Sequence, residues 1–295
     1  MRIDAIRRSL LCGMCLIALP TAAWAQVPAD SGYKPTREPV LRVSKKPEPA
    51  KTPKVAPHPL DPALKLAYDG LENMRGRVAD YTATMVKRER VGGRLGNEEY
   101  MFVKIRNRKV EGNRTTVPFS IYMRFLKPQN IAGREVIWVE NRNNNKLVAH
   151  DTGLIRGSIR VNLDPEGSMA MKGNRYPIME AGLENLVVKL IEKAERDRAA
   201  GACDVAFFKS KVAGRACTMI QVTHPKKEAP YDFHIAKVFI DDELQIPTRY
   251  AAYSWPRRPG GDPVLEEEYT YLDVKLNVGL DESDFNPDNP KYAYP

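Results

Sequence analysis

Four patterns in the chain have residue types and spacings that could do chemistry. Asp151-Thr152-Gly153 is the tripeptide with which aspartic proteases share one proton between two carboxylates. Ala149 and His150 stand before it where those enzymes carry two apolar residues, and the tripeptide occurs once. A turn at a strand end is the expected role. Asp284, Asn286 and Asp288 take the first, third and fifth places of a calcium loop. Asn289 occupies the sixth, where glycine makes the turn, and the twelfth falls on Pro295 instead of glutamate. His58, His150, His224 and His234 are scattered without metal-ligand spacing. Glu266, Glu267 and Glu268 are consecutive in a strand-like run, so alternation sends them to opposite faces. The sequence also lacks a nucleophile elbow, a phosphate loop and a dinucleotide fingerprint. It therefore predicts no enzyme activity, no metal site and no cofactor.

These residues stand behind an export signal. Arg2, Arg7 and Arg8 precede the apolar run Leu10 to Leu19, and Ala23-Trp24-Ala25 is a small-residue cleavage site. The run is too short to span a bilayer, and Cys12 and Cys15 read as ordinary residues of the removed signal. The mature chain is expected to begin near Gln26, after a cut behind Ala25, and to work in the periplasm or outside the cell. Residues 26–59 follow as a Pro/Lys-rich linker: eight of these 34 residues are proline. Such a stretch cannot bury enough apolar surface to offset its ordering entropy and is expected to be disordered. The formal net charge is +9, of which the signal carries +2 and the linker +4. The +3 left for residues 60–295 is that of an ordinary soluble surface and argues against nucleic acid as a partner.

The elements that must position any site lie in residues 60–295, read as a single domain. Asp61 and Pro62 start a helix with Leu64, Ala67, Leu71, Met74 and Val78 on one stripe. Strands are expected at 81–91 and 99–110 about a Gly-rich turn, then near 119–125, 134–140 and 146–150. Residues 151–178 read as irregular. A second helix is expected from about Glu180 to Ala200, with Gly201 as its stop. Strands resume at 205–212, 217–223, 235–241, 248–255 and 264–276. Two helices and some ten strands without strand–helix–strand alternation give an α+β fold, a strongly curved antiparallel sheet covered by helices.

Met101, Val103 and Ile105 share one strand face, as do Phe119, Ile121, Met123 and Phe125. Residues 87–134 hold twelve Lys/Arg against four Asp/Glu, and residues 241–295 hold twelve Asp/Glu against five Lys/Arg. Mutual neutralisation across neighbouring strands is the expected consequence. Export to an oxidising compartment predicts a bond between Cys203 and Cys217. A turn at Ala213-Gly214 would set Cys217 opposite Ser210, so Cys203 would have to loop back.

The stretch from Lys237 to Tyr250 (KVFIDDELQIPTRY) resembles a hairpin of periplasmic LolA-like proteins, which include lipoprotein carriers and sensor domains of envelope-stress regulators. Asp80 to Arg90 (DYTATMVKRER), Cys217 to Pro225 (CTMIQVTHP) and Gly279 to Pro287 (GLDESDFNP) resemble an exported, planctomycete-type bacterial domain of unknown function, number fifteen seventy-one. The likeness spans roughly residues 62–293. It implies an incomplete β-barrel whose greasy concave face is lidded by helices, with no catalytic residues. On this reading the concave face binds a lipid or an acylated protein. Met85, Met101, Val103, Ile105, Ile121, Met123, Phe125 and Trp138 are its expected lining. A sensor or scaffold module gripping another envelope protein is the alternative, and a hydrolase the third.

Overall fold

The computed structural model describes residues 57–153, 159–201 and 203–295. The expected signal peptide, its cut after Ala25 and the linker as far as residue 56 lie outside the described residues. Residues 57–59 are described, and His58 already bonds to the body: its Nε2 lies 3.0 Å from the Gly201 carbonyl oxygen.

The elements run α1 (Asp61–Arg77), β1 (Asp80–Val91), β2 (Arg94–Leu95), β3 (Glu99–Arg106), β4 (Lys109–Glu111), β5 (Arg114–Val117), β6 (Ser120–Lys127), β7 (Glu135–Val139), β8 (Leu147–His150), β9 (Arg160–Leu163), α2 (Leu183–Ala200), β10 (Asp204–Val212), β11 (Arg215–Thr223), β12 (Ile235–Asp241), β13 (Pro247–Ser254) and β14 (Val264–Leu276). Twelve strands form one open sheet in the order β10-β11-β12-β13-β14-β1-β3-β6-β7-β8-β9, with β2 on β1. The pairings along this order are antiparallel. The expected α+β class is the observed one.

Three boundaries differ from the sequence reading. The strand expected to reach Val110 stops at Arg106, and Lys109 onward folds into a separate β4–β5 ribbon. The irregular stretch contains β9, too short to show its alternation. The second helix starts at Leu183, after a 3-10 turn at Ile178–Glu180. Its late start has a local cause. Gly182 takes φ +109°, and a Cβ there would lie 3.3 Å from the Tyr81 hydroxyl. That hydroxyl accepts the Leu183 amide at 2.8 Å, satisfying one of the donors that a helix start leaves without a partner.

The sheet must be strongly curved. β13 and β9 are seven steps apart in the sheet, yet Tyr250 and Leu163 line one cavity. In a flat sheet with strands ~4.8 Å apart they would be separated by roughly 34 Å.

Cross-strand rungs on the concave face show what fills it. Tyr81, Ile105, Ile121 and Trp138 form one rung. All four are buried in a core shared with Leu64, Leu183, Val187 and Ile191 of the helices. The start of α2 lies against this rung: a Cβ on Gly182 would also touch Phe119 and Ile105. The convex face of the same strands is covered by the C-terminal tail. Phe285, Leu280, Tyr292 and Tyr294 pack on Tyr122, Ile137 and Val139, with Tyr292 stacked on Tyr122 at 4.2 Å.

The charge split neutralises itself because β1 pairs with β14 and the tail crosses β3 and β6. Arg90 lies 3.6 Å from Glu266, Lys104 2.6 Å from Asp284 and Arg106 2.8 Å from Glu282.

The expected Cys203–Cys217 bond is not formed: both thiols are free and buried. The β10–β11 register pairs Ser210 with Cys217 and Asp204 with Thr223. Six further rungs at ~3.4 Å put Asp204, the residue after Cys203, roughly 20 Å along the ladder from Cys217, beyond the reach of a disulfide. The two cysteines also belong to separate apolar clusters.

Candidate functional site

The concave face is not filled along its whole length. Two rungs beyond Tyr81 the register aligns Tyr271, Met85, Met101 and Phe125. These residues line a cavity of about 660 Å³. That volume lies within the range of small-molecule sites. Val136, Leu147, Ala149, Val161 and Leu163 continue the apolar wall along β7 to β9. Leu186 and Leu190 of α2 close it from above.

Of the expected lining, Met85, Met101, Met123 and Phe125 face the cavity. Val103, Ile105, Ile121 and Trp138 do not. They lie in the solid core: the first three are fully buried and Trp138 is 4% exposed. They share strand faces with the lining residues, so alternation alone could not separate the two groups.

At its other end the concave face turns polar. Lys87 and Glu89 are the next inward positions of β1, and Glu267 is the register partner of Glu89 on β14. Two inward carboxylates thus face each other, 7% and 3% exposed. A buried charge needs partners, and the loop from Asp164 to Gly182 supplies many of them. The Arg175 amide donates to Glu89 at 3.0 Å, and the Arg175 guanidinium lies 3.1 Å from Glu267. Tyr269 donates to Glu89, Tyr250 donates to Glu267 at 3.2 Å, and Lys87 donates to Asn174 at 2.5 Å. Lys87 also lies 3.5 Å from Glu89 and 3.3 Å from Glu99. Burial, followed by the Glu89 and Glu267 charges, pushes the Tyr269 phenol far above its usual range, so it stays a donor. Burial lifts the Tyr271 phenol to about 12. The network ties the loop across the sheet as a strap, with Glu267 Oε2 held by the Arg175 ion pair alone. Lys and Glu at inward positions of an otherwise apolar strand were the sequence signal for it.

The other patterns singled out by residue type serve the fold. Asp151 pairs with Arg134 at 3.0 Å, Asp284 with Lys104, and Asp288 with Arg160 at 2.8 Å. His150 Nε2 lies 2.8 Å from Glu135, on whose other oxygen Tyr122 donates at 2.6 Å, under the C-terminal tail. His224 is fully buried, 3.5 Å from Asp197 and stacked on Tyr231. Burial lowers the His224 imidazole and raises the Asp197 carboxyl, against the opposing pull of their mutual attraction and of Arg196 on Asp197. The His234 ring lies 2.7 Å from the His224 carbonyl oxygen. These histidines do not converge on the cavity as a set. Among the described residues no group of three or more His, Cys, Asp or Glu could hold a metal ion.

Several solved structures are similar in fold. A DUF1329 family protein from Desulfovibrio piger is 12% identical, covering 78% of this chain and 98% of that one, with a TM-score of 0.37. A lipoprotein-sorting protein domain of Vibrio parahaemolyticus is 15% identical, covering 76% and 95%, with a TM-score of 0.36. A LolA superfamily protein from Nitrosomonas europaea is 10% identical, covering 75% and 97%, with a TM-score of 0.30. No protein with a curated description matches the sequence. The family described as a protein of unknown function, DUF1571, matches over residues 78–294, and the chain belongs to that family.

Proposed function

We propose that the concave cavity takes the acyl chain of a lipid or of an acylated protein, without chemistry, in an exported protein of the cell envelope. One observation carries this reading. The rung Tyr271–Met85–Met101–Phe125 faces about 660 Å³ of unfilled space, while the Tyr81–Trp138 rung of the same strands is packed solid. A greasy surface left uncovered costs stability unless a guest covers it. Three of its methionines, Met85, Met101 and Met123, are pliant and suit chains of varied length. No helix among the described residues is long and apolar enough to cross a membrane.

Native mass spectrometry with organic extraction of protein purified from the envelope tests the reading. Co-purified acyl chains are expected, and Met123→Glu should abolish them while the circular dichroism spectrum persists. A ligand-free protein accompanied by a stoichiometric protein partner would replace this reading with that of an interaction module. Mass analysis of the same material should place the N-terminus near Gln26. A retained Met1 would remove the envelope assignment.

A further inference from the structure

The charges around the cavity say which amphiphile it takes, given that it holds an acyl chain as proposed above. Inside, the polar groups are already matched. Glu89 and Glu267 are held by Tyr269, Tyr250, Lys87 and Arg175, and Asp151 is held by Arg134. Among the described residues each of these carboxylates already faces a cation, so a cationic head would have to compete with Lys87, Arg134 or Arg175.

The mouth differs. On α2, Leu186, Lys189, Leu190 and Lys193 all line the cavity, spaced three, four and seven residues apart on one helix face. Lys172 on the strap lines the cavity too and is exposed. Lys172 makes no ion pair or hydrogen bond to any described residue. The Lys193 partner, Asp232 at 3.3 Å, is shared with Arg196 at 2.9 Å. Lys189 reaches Glu180 and Glu192 only at 3.9 Å and 3.7 Å. Glu180, half-buried, lines the cavity beside these lysines.

We propose that the ligand is an anionic amphiphile. Its carboxylate or phosphate head sits among Lys172, Lys189 and Lys193, and its chain runs inward past Leu186 and Leu190 to Met85, Met101 and Phe125. Three ammonium groups on two elements match a single diffuse anion better than they match one another. A half-exposed mouth leaves the head in contact with water, so its desolvation cost stays low. The chain supplies the affinity through burial, and the head sets orientation and choice among amphiphiles.

Calorimetric titration of the mature full-length protein with amphiphiles of one chain length tests this. The probes are dodecanoate and dodecyl phosphate as anions, monolaurin as the neutral head and dodecyltrimethylammonium as the cation, all below their micellar concentrations. Both anions should bind at least about tenfold more tightly than the cation, and their affinity alone should fall with added salt. If only one anion shows the preference, the head is identified as carboxylate or as phosphate. The triple variant Lys172→Gln, Lys189→Gln, Lys193→Gln should bring the anions to the affinity of monolaurin and leave monolaurin unchanged. Equal binding of all four probes, or discrimination that survives the triple variant, would overturn the anionic head and leave the acyl-chain reading standing. Failure of all four, monolaurin included, would overturn both.

Discussion

The two ends of the concave face are built from the same strands and finish differently. At one end Tyr81, Ile105, Ile121 and Trp138 sit in the packed core, with the start of α2 against Tyr81 and Ile105. At the other, Met85, Met101 and Phe125 line an unfilled cavity that the strap bounds with both polar and apolar side chains. Both ends show the same period-two alternation. An apolar strand face becomes a core or a container according to what arrives from elsewhere in the chain. The convex face repeats the point: Tyr122 and Ile137 alternate with the concave residues and are sealed by the tail's Phe285 and Tyr292.

The comparison breaks if the two ends respond alike to truncation. Ile121→Ala removes fully packed atoms and should cost about 4 kcal/mol of unfolding free energy in a denaturant titration. Met101→Ala borders space that already exists, so the added cavity is small and the loss should sit at the low end for such a change, about 2 kcal/mol. Equal losses would mean that the cavity is closed in solution.

The strap offers a sharper contrast, since buried polar contacts join the apolar packing of Ile178 and Ala181 in holding it. Arg175→Ala leaves the nearly buried Glu267 carboxylate without its cation and should cost about 2–3 kcal/mol. Limited proteolysis should then cut within residues 164–182 before it cuts α2. A variant as resistant as the parent would show that the strap is held by something other than this network.

A third test titrates the packed core through Cys203, which belongs to the same cluster as Ile105 and Ile121. Burial first, then the Asp197 and Asp204 charges, lifts this thiol from 9.0 to about 11. The folded value lies above the unfolded one, so the stabilisation is complete below pH 9 and is lost as pH rises from 9 towards 11. The loss should reach about 2 kcal/mol by pH 11, relative to Cys203→Ala measured in parallel to remove the tyrosine contribution. Parallel curves would place Cys203 outside the packed core.

The smallest perturbation is chemical labelling. Cys203 and Cys217 are both buried and free. Iodoacetamide at neutral pH should leave the native protein unlabelled and modify both thiols in denaturant without reductant. Absence of label in denaturant would restore the bond that the export signal suggested.

The strands and helices were legible because their signals are local. Alternation marked β1, β3, β6 and β10 to β14 to within a few residues, and the apolar stripes marked both helices. β9 was missed because four residues carry too little pattern. The start of α2 was misplaced because a contact with Tyr81, about a hundred residues away, sets it. The opposition of basic and acidic stretches followed from composition, and the strand order made it real.

The sequence by itself determined which side chains point to the concave face, since that depends only on a period of two residues. It could not determine which of them are covered. Gly182 and Leu183 lie on Tyr81 and Ile105, whereas Met85 and Met101, though buried, border unfilled space. The same limit explains the division of the eight expected lining residues into four at the cavity and four in the core. It also explains the cysteines, whose separation was fixed by the β10–β11 register. Facing is a property of neighbouring residues and is written in the chain. Covering joins residues far apart in sequence, and only the folded structure brings them together.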